Sequence, residues 1–231
     1  MTLPEWRVFG SVDVLVPRLA EAVCAEAEAA IAARGAFHLV LAGGSTPLAL
    51  YRALADRHAG DARWQVWYGD ERCLPLDHPE RNSVMADAAW LVASCIPPEN
   101  RRPIPAERGA REAAAGYAEW LKEVGDFDVV LLGMGEDGHT ASLFPGQDWG
   151  VAPDSPDVLA VHDAPKPPPE RVSLSAARLS RSRRVWFVVT GPGKRSAIAR
   201  WKNGEALPVS ALHGGLETVA WLDAMAWPEG A

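Results

Sequence analysis

The chain has 231 residues, 48% of them hydrophobic, enough for a large buried core and inconsistent with intrinsic disorder. Its formal charge of −7 weighs against nucleic acid and anionic membrane as partners, so an anionic ligand would need a locally positive site. No stretch approaches the ~18 apolar residues of a membrane span.

Near the amino terminus Val12, Leu15, Val16, Leu19, Val23, Ala27, Ala30 and Ile31 recur at helical spacing, with Ser11 as cap and Gly35 as stop. A buried strand is predicted at Phe37–Leu41, then a helix over 46–57, a strand at Trp64–Tyr68 and an alanine-rich helix over 82–94. Pro97, Pro98, Pro103 and Pro105 mark an irregular connection, followed by a helix over 107–124 and an apolar strand at Phe127–Leu132. Further strands are predicted at Val158–Val161, 172–174, 184–189 and 218–222, with a helix over 193–202. Strands that are apolar throughout and alternate with helices predict an α/β, Rossmann-like fold. The expected sheet is largely parallel, with helices on both faces, in a single domain spanning 1–231. Ten tryptophans are expected to lie mainly in the core, Trp64, Trp67 and Trp186 among them. Arg178, Arg181, Arg183 and Arg184 read as a solvated helix end. Cys24, Cys73 and Cys95 are odd in number and far apart, which fits reduced thiols; with no basic and apolar leader at residues 1–6, a cytoplasmic location is expected.

Open parallel sheets bind ligands beyond the carboxyl ends of their strands, and the chemically loaded segments fall there. After the first predicted strand, Gly43, Gly44, Ser45 and Thr46 run into a helix start at Pro47, offering amides, hydroxyls and a helix dipole to an anion. An ordinary capped turn would read the same way. After Tyr68 comes Gly69-Asp70-Glu71-Arg72, whose charges would orient a polar substrate or pair with each other. After the Phe127–Leu132 strand comes Gly133-Met134-Gly135-Glu136-Asp137-Gly138-His139-Thr140, which delivers an acid and a histidine among three glycines. After 184–189 comes Thr190-Gly191-Pro192-Gly193-Lys194, a lysine at a helix opening that lacks the Walker spacing. Jointly the four loops describe one pocket with anion-binding amides, a lysine, an arginine, an acid and a histidine.

These blocks, together with Ala141-Ser142-Leu143-Phe144-Pro145, Lys166-Pro167-Pro168-Pro169-Glu170-Arg171-Val172-Ser173-Leu174 and Trp221-Leu222-Asp223, resemble the signature blocks of the 6-phosphogluconolactonase family over nearly the whole chain. The resemblance implies a Rossmann-like α/β fold and metal-free, cofactor-free hydrolysis of 6-phosphogluconolactone in the pentose phosphate pathway. Glucosamine-6-phosphate deaminases share the glycine loop, the Asp-Gly-His and the lysine. Their pattern, however, carries a glutamate in an Asn-Glu-Pro context a few residues beyond the histidine. Here those positions read Ser142-Leu143-Phe144-Pro145, and no acid follows His139 until Asp148. Aldose–ketose chemistry then lacks a proton partner; lactone hydrolysis needs none. A sensor that binds a sugar phosphate without turnover is the reading from a different class.

The residues suggest how a lactone would react. His139 is the candidate base that activates water and returns the proton to the departing ring oxygen. Asp137 would orient the imidazole or hold a sugar hydroxyl, and Arg72 would stabilise charge on the carbonyl oxygen. Lys194, Arg171 and the amides of residues 43–46 would hold the phosphate, with Asp70 also assigned to the substrate. A serine nucleophile is disfavoured because Ser45 lies outside a Gly-x-Ser-x-Gly elbow. The six histidines form no close-spaced pair and there is no Cys-x-x-Cys, so no metal site is expected.

Overall fold

The computed structural model describes residues 3–228. The chain begins with β1 (Glu5–Phe9), α1 (Val12–Arg34), β2 (Phe37–Leu41), α2 (Ser45–Asp56) and β3 (Trp64–Tyr68). It continues through β4 (Asp70–Arg72), α3 (Asn82–Ala89), α4 (Ala110–Leu121), β5 (Phe127–Leu132), β6 (Val158–Val161) and β7 (Arg171–Leu174). The last elements are α5 (Ala176–Ser180), β8 (Ser182–Val189), α6 (Arg195–Lys202) and β9 (Glu217–Asp223).

Six strands form a parallel sheet in the order β1-β9-β8-β5-β2-β3, flanked by helices as an α/β fold requires. β5 lies inside it and is buried at all six positions, which is why its sequence is an unbroken apolar run apart from Asp128. That carboxylate, 4% exposed, accepts hydrogen bonds from Arg34 Nη2 at 2.6 Å and the His38 backbone N–H at 2.8 Å, so a buried charge is paired. Helix α1 packs against β2, β5 and β9 and ends at Gly35, whose left-handed φ of 81° lets its N–H reach the Ile31 carbonyl. Trp64, Trp67 and Trp186 are all buried in the core, as expected.

Beyond the bounds of individual helices, three features depart from the sequence expectations. The first is that β6 and β7 leave the main sheet and form a separate three-stranded antiparallel sheet, in the order β4-β7-β6. The connection from Val161 to Arg171 is too short for the dozen or more residues a parallel crossover needs, so the chain folds back on itself. The second is β1, a strand that mixed residues such as Glu5 and Arg7 concealed; it forms one edge of the main sheet against β9.

The third is the arginine cluster. Arg178 is fully buried: its guanidinium lies 3.8 Å from the Phe127 ring centroid and donates to the Gly125 carbonyl at 3.1 Å. Arg184 pairs with Glu26 at 3.0 Å and Glu217 at 3.2 Å. These two are structural residues; Arg183 lies in β8 with its Nε 3.7 Å from the Asp128 carboxylate, and only Arg181, exposed at the end of α5, fits the expected solvated helix end.

Two helices are shorter than their periodicity suggests. α3 stops at Ala89 because Trp90 turns inward, its indole N–H donating to the Ala59 carbonyl at 2.9 Å. α4 begins only after Gly109; Glu107, upstream of it, is held by Arg81 Nη1 at 2.9 Å. No described helix is long and apolar enough to cross a membrane.

Candidate active site

Between β2 and β5 the strand order reverses: the chain leaves β2 for β3 on one side and returns to β5 on the other. Such a switch point opens a crevice at the carboxyl ends of the strands. A cleft of about 350 Å³ lies there, lined by the loops that follow β2, β5 and β8 and by one face of the small sheet. The loops after β2 and β5 abut so closely that a Cβ on Gly133 would lie 3.9 Å from the Gly43 carbonyl oxygen.

The loop after β2 is braced from both sides. Tyr51, buried in α2, donates to the Ala42 carbonyl at 2.7 Å and accepts from the Ala42 N–H at 3.0 Å. Thr46 Oγ1 shares a 2.6 Å hydrogen bond with Thr190 Oγ1, joining this loop to the one after β8. The α2 amino terminus therefore opens into the cleft at a fixed place, and residues 43–46 line it as expected. Free amides at a helix start favour an anion.

After β5 the chain makes a tight loop, in which the Gly135 N–H donates to the His139 carbonyl at 2.8 Å. His139 Nδ1 lies 2.6 Å from Asp137 Oδ1, which also accepts the His139 backbone N–H at 3.1 Å. The imidazole rests against Phe144, with ring centroids 4.8 Å apart. On its other side it presses on Gly135, where any Cβ would come within 2.0 Å of Nδ1. Glycine is thus required at 135 for close approach. His139 lines the cleft, whereas Asp137 stands behind the ring and off the cleft wall. Of the two sequence-level roles for Asp137, this position favours orienting the imidazole.

Burial disfavours the imidazolium and outweighs the hydrogen bond and charge of Asp137, so the His139 pKa lies below its ordinary 6.5. Burial also works to raise the Asp137 carboxyl, but the two His139 donors outweigh it and hold the carboxyl below its usual value. A neutral imidazole beside an ionised carboxylate donates from Nδ1. That leaves Nε2, which has no hydrogen-bond partner among the described residues, as the basic nitrogen.

In Gly69-Asp70-Glu71-Arg72 the four positions separate. Asp70 and Arg72 line the cleft. Both Asp70 carboxylate oxygens are already engaged, Oδ2 by the Ser142 hydroxyl at 2.6 Å and Oδ1 by Asn82 Nδ2 at 2.9 Å. Arg72 Nη1 donates to the Glu80 carbonyl, while its buried Nε has no hydrogen-bond partner among the described residues.

Glu71 is fully buried and does not line the cleft; it accepts the backbone N–H groups of Arg72, Asn82 and Ser83 and the Ser83 hydroxyl at 2.7–2.9 Å. It caps α3. Glu71→Gln is expected to destabilise the fold by about 1–2 kcal/mol, because an amide NH₂ then faces a backbone donor. Urea denaturation of the variant, read as a lower midpoint at unchanged slope, checks this.

Lys194 lines the cleft at the turn that opens α6. Burial lowers its ammonium pKa, and Glu136 nearby offsets part of that effect. Arg171 borders the cleft too, but its donors are largely spent on the adjacent proline loop. Nε reaches the Pro168 carbonyl at 3.0 Å, and Nη2 reaches those of Lys166 and Pro167 at 3.0 and 3.1 Å. Among the cleft-lining residues to which the sequence alone gives no role are Lys166, beside the prolines, and Asn82, at the start of α3. Lys166 opens a block that carries the family resemblance, but in that block only Arg171 was assigned to the substrate. The cleft thus gathers Arg72, Lys166, Arg171 and Lys194 against the single acid Asp70, on a chain whose net charge is negative. Among the described residues no group of three His, Cys, Asp or Glu side chains converges as a metal site.

Residues 10–221 match the family model described as glucosamine-6-phosphate isomerases/6-phosphogluconolactonase. A 6-phosphogluconolactonase from Mycobacterium leprae is 36% identical over 93% of each chain, and one from Streptomyces coelicolor is 37% identical over 84% of this chain and 82% of its own. The crystal structure of 6-phosphogluconolactonase from Thermotoga maritima superposes with a TM-score of 0.87 at 25% identity, covering 95% of this chain and 99% of that one. A monomeric glucosamine-6-phosphate deaminase superposes with a TM-score of 0.80 at 18% identity, over 96% of this chain and 98% of its own, so the fold by itself does not separate the two chemistries.

Proposed function

We propose, since the chain belongs to the glucosamine-6-phosphate isomerase/6-phosphogluconolactonase family, that it hydrolyses 6-phospho-D-glucono-1,5-lactone to 6-phosphogluconate in the oxidative branch of the pentose phosphate pathway. The observation that carries this reading is a neutral, carboxylate-oriented His139 in a cleft of four cations and one acid. His139 Nε2 takes a proton from water as the oxygen attacks C1 of the lactone. Charge gathers on the carbonyl oxygen, where Arg72 stabilises it. The C1–ring oxygen bond then breaks, and the imidazolium returns its proton to the departing oxygen. Asp137, bound to Nδ1, stabilises that imidazolium and keeps the ring in place. Lys194, Lys166 and the amides of residues 43–46 hold the phosphate, with Arg171 contributing its charge and the donors that the proline loop leaves over, so that C1 is presented to the activated water. Asp70, with its oxygens engaged, holds Ser142 and Asn82 in place at the cleft edge.

The deaminase alternative lacks its proton partner here. In the segment 142–145, Leu143 and Phe144 are buried apolar residues and Ser142 is bound to Asp70. The decisive experiment incubates the protein with fresh 6-phosphogluconolactone and with glucosamine 6-phosphate, scoring acid release against ammonia release. Acid release alone is expected. Ammonia release would reverse the assignment, and binding without turnover would make the chain a sensor. A chelator is expected to leave lactone hydrolysis unchanged; loss of rate restored by a divalent ion would overturn the metal-free mechanism. The three cysteines are free thiols, which supports a reducing, cytoplasmic setting.

The depressed His139 pKa sets the pH dependence. The active form is neutral, so kcat/KM is expected to be flat near neutrality and to fall only on acidification, with a midpoint below 6.5. The substrate phosphate also titrates near pH ~6, so the profile is read with unphosphorylated gluconolactone as well. A midpoint above 6.5 on both substrates would contradict the burial of the imidazole.

A further inference from the structure

Asn82 holds an acceptor that the fold leaves unused. The residue is 4% exposed and lines the cleft. Its side-chain orientation follows from its partners: Nδ2 donates to the Asp70 carbonyl and to Asp70 Oδ1, both at 2.9 Å, and neither of those atoms can donate. Oδ1 therefore points the other way, toward Gly43, where a Cβ would lie 1.9 Å from it. No group among the described residues donates to Oδ1. The backbone is pinned as well, since the Asn82 N–H donates to Glu71 Oε1 at 2.7 Å. The oxygen is open to the cleft and not sealed inside the protein, so solvent can reach it until a ligand fills the site. Once a ligand covers it, an acceptor held rigidly at the cleft wall calls for a donor from that ligand.

We infer that Asn82 Oδ1 accepts a hydrogen bond from a ring hydroxyl of the substrate and so contributes to its selection. The inference rests on the lactonase reading of the cleft. A phosphate dianion, the form that prevails above pH ~6, is excluded as the partner, because it has no donor to offer and two acceptors facing each other repel. The lactone ring offers three hydroxyl donors, at C2, C3 and C4. Glycine at 43 and Asp70 beside Nδ2 then share one task, since together they hold the amide with its oxygen toward the sugar. A site built to satisfy a substrate hydroxyl discriminates against the analogue that lacks it, because the bound analogue covers the acceptor and leaves it unpaired.

The test is a cycle between variant and substrate. Wild type and Asn82→Ala are compared on 6-phosphogluconolactone and its 2-, 3- and 4-deoxy analogues by kcat/KM, and on the corresponding 6-phosphogluconates by calorimetric Kd. In wild type, one of the deoxy compounds is expected to lose about tenfold in both measures. In Asn82→Ala that same compound should lose nothing further relative to the parent, while the other two keep their wild-type ratios. An Asn82→Ser variant serves if the alanine variant does not fold. Equal ratios in variant and wild type for all three analogues, or no loss for any of them in wild type, would overturn the inference and leave Asn82 as a brace for Asp70. If wild type binds 6-phosphogluconate without opening the lactone, the lactonase reading fails while the Kd cycle still decides the contact. Binding of neither compound overturns both.

Discussion

His139→Ala is expected to lower kcat for 6-phosphogluconolactone by ~10²–10⁴-fold, the range typical of losing a general base. The δ-lactone is an activated ester, so the demanding step is deprotonation of water at the moment of attack, and Nε2 is the basic nitrogen of an oriented, neutral ring. Every element of the loop serves that ring: Asp137 holds Nδ1 at 2.6 Å, Phe144 covers one face, and glycine at 135 makes room beside it. None of the cleft cations depends on the imidazole for a hydrogen bond, so affinity for 6-phosphogluconate should be nearly unchanged. A calorimetric titration with the product alongside the kcat measurement separates the two effects. A variant that keeps near-normal kcat would remove His139 from the mechanism, and one that loses product binding in proportion to kcat would make it a binding residue.

Lys194→Ala is expected to depress kcat/KM for the phosphorylated lactone by roughly one to two decades, the loss of a charge-assisted contact of ~1.5–3 kcal/mol. The phosphate does not react, so its binding energy either appears in KM or is used to position C1 and appears in kcat; kcat/KM registers both. Lys194 is suited to this role by its place at the turn into α6 and by its partial burial, since a less hydrated ammonium interacts more strongly with an anion. Unphosphorylated gluconolactone never makes the contact, and its slow hydrolysis should barely change. The measured quantity is the ratio of the two substrates' kcat/KM values in wild type and variant. An equal loss on both substrates would place Lys194 in the fold or the chemistry. A residual preference for the phosphorylated substrate is expected even in the variant, because Lys166 and the amides of residues 43–46 remain.

The reactive loops were legible because their chemistry is local in the chain. An apolar run ending in glycines, with Asp137 and His139 two residues apart, specifies a strand, a tight turn and an acid near a histidine without reference to any distant residue. The helix start at residues 43–46 and the lysine opening α6 are local in the same sense. Parallel strands then bring these carboxyl-terminal loops to one edge, so a shared cleft follows from the α/β alternation. The roles of Glu71, Asn82 and Arg178 were not legible, and the reason is the same for each. Glu71 reads as a candidate substrate acid until α3, eleven residues later, presents its N–H groups to it. Arg178 reads as solvated until Phe127 and the Gly125 carbonyl, more than fifty residues upstream, close over it.

By itself, then, the amino-acid order determined the α/β character, the positions of the strands that carry the site and the placing of His139 and Asp137 in one loop, since each depends on periodicity or on neighbours a few residues apart. Which of its two roles Asp137 takes was left to the tertiary structure. Only the tertiary structure decided that β4, β6 and β7 form a second sheet, that Lys166 joins Lys194 at the cleft, and that Asn82 turns an unpaired oxygen toward it. A charged or amide side chain has the same local propensity whether it ends in solvent, in a cap or in a cleft. Its role is set by which distant donors, acceptors and apolar surfaces the folded chain brings within hydrogen-bonding distance.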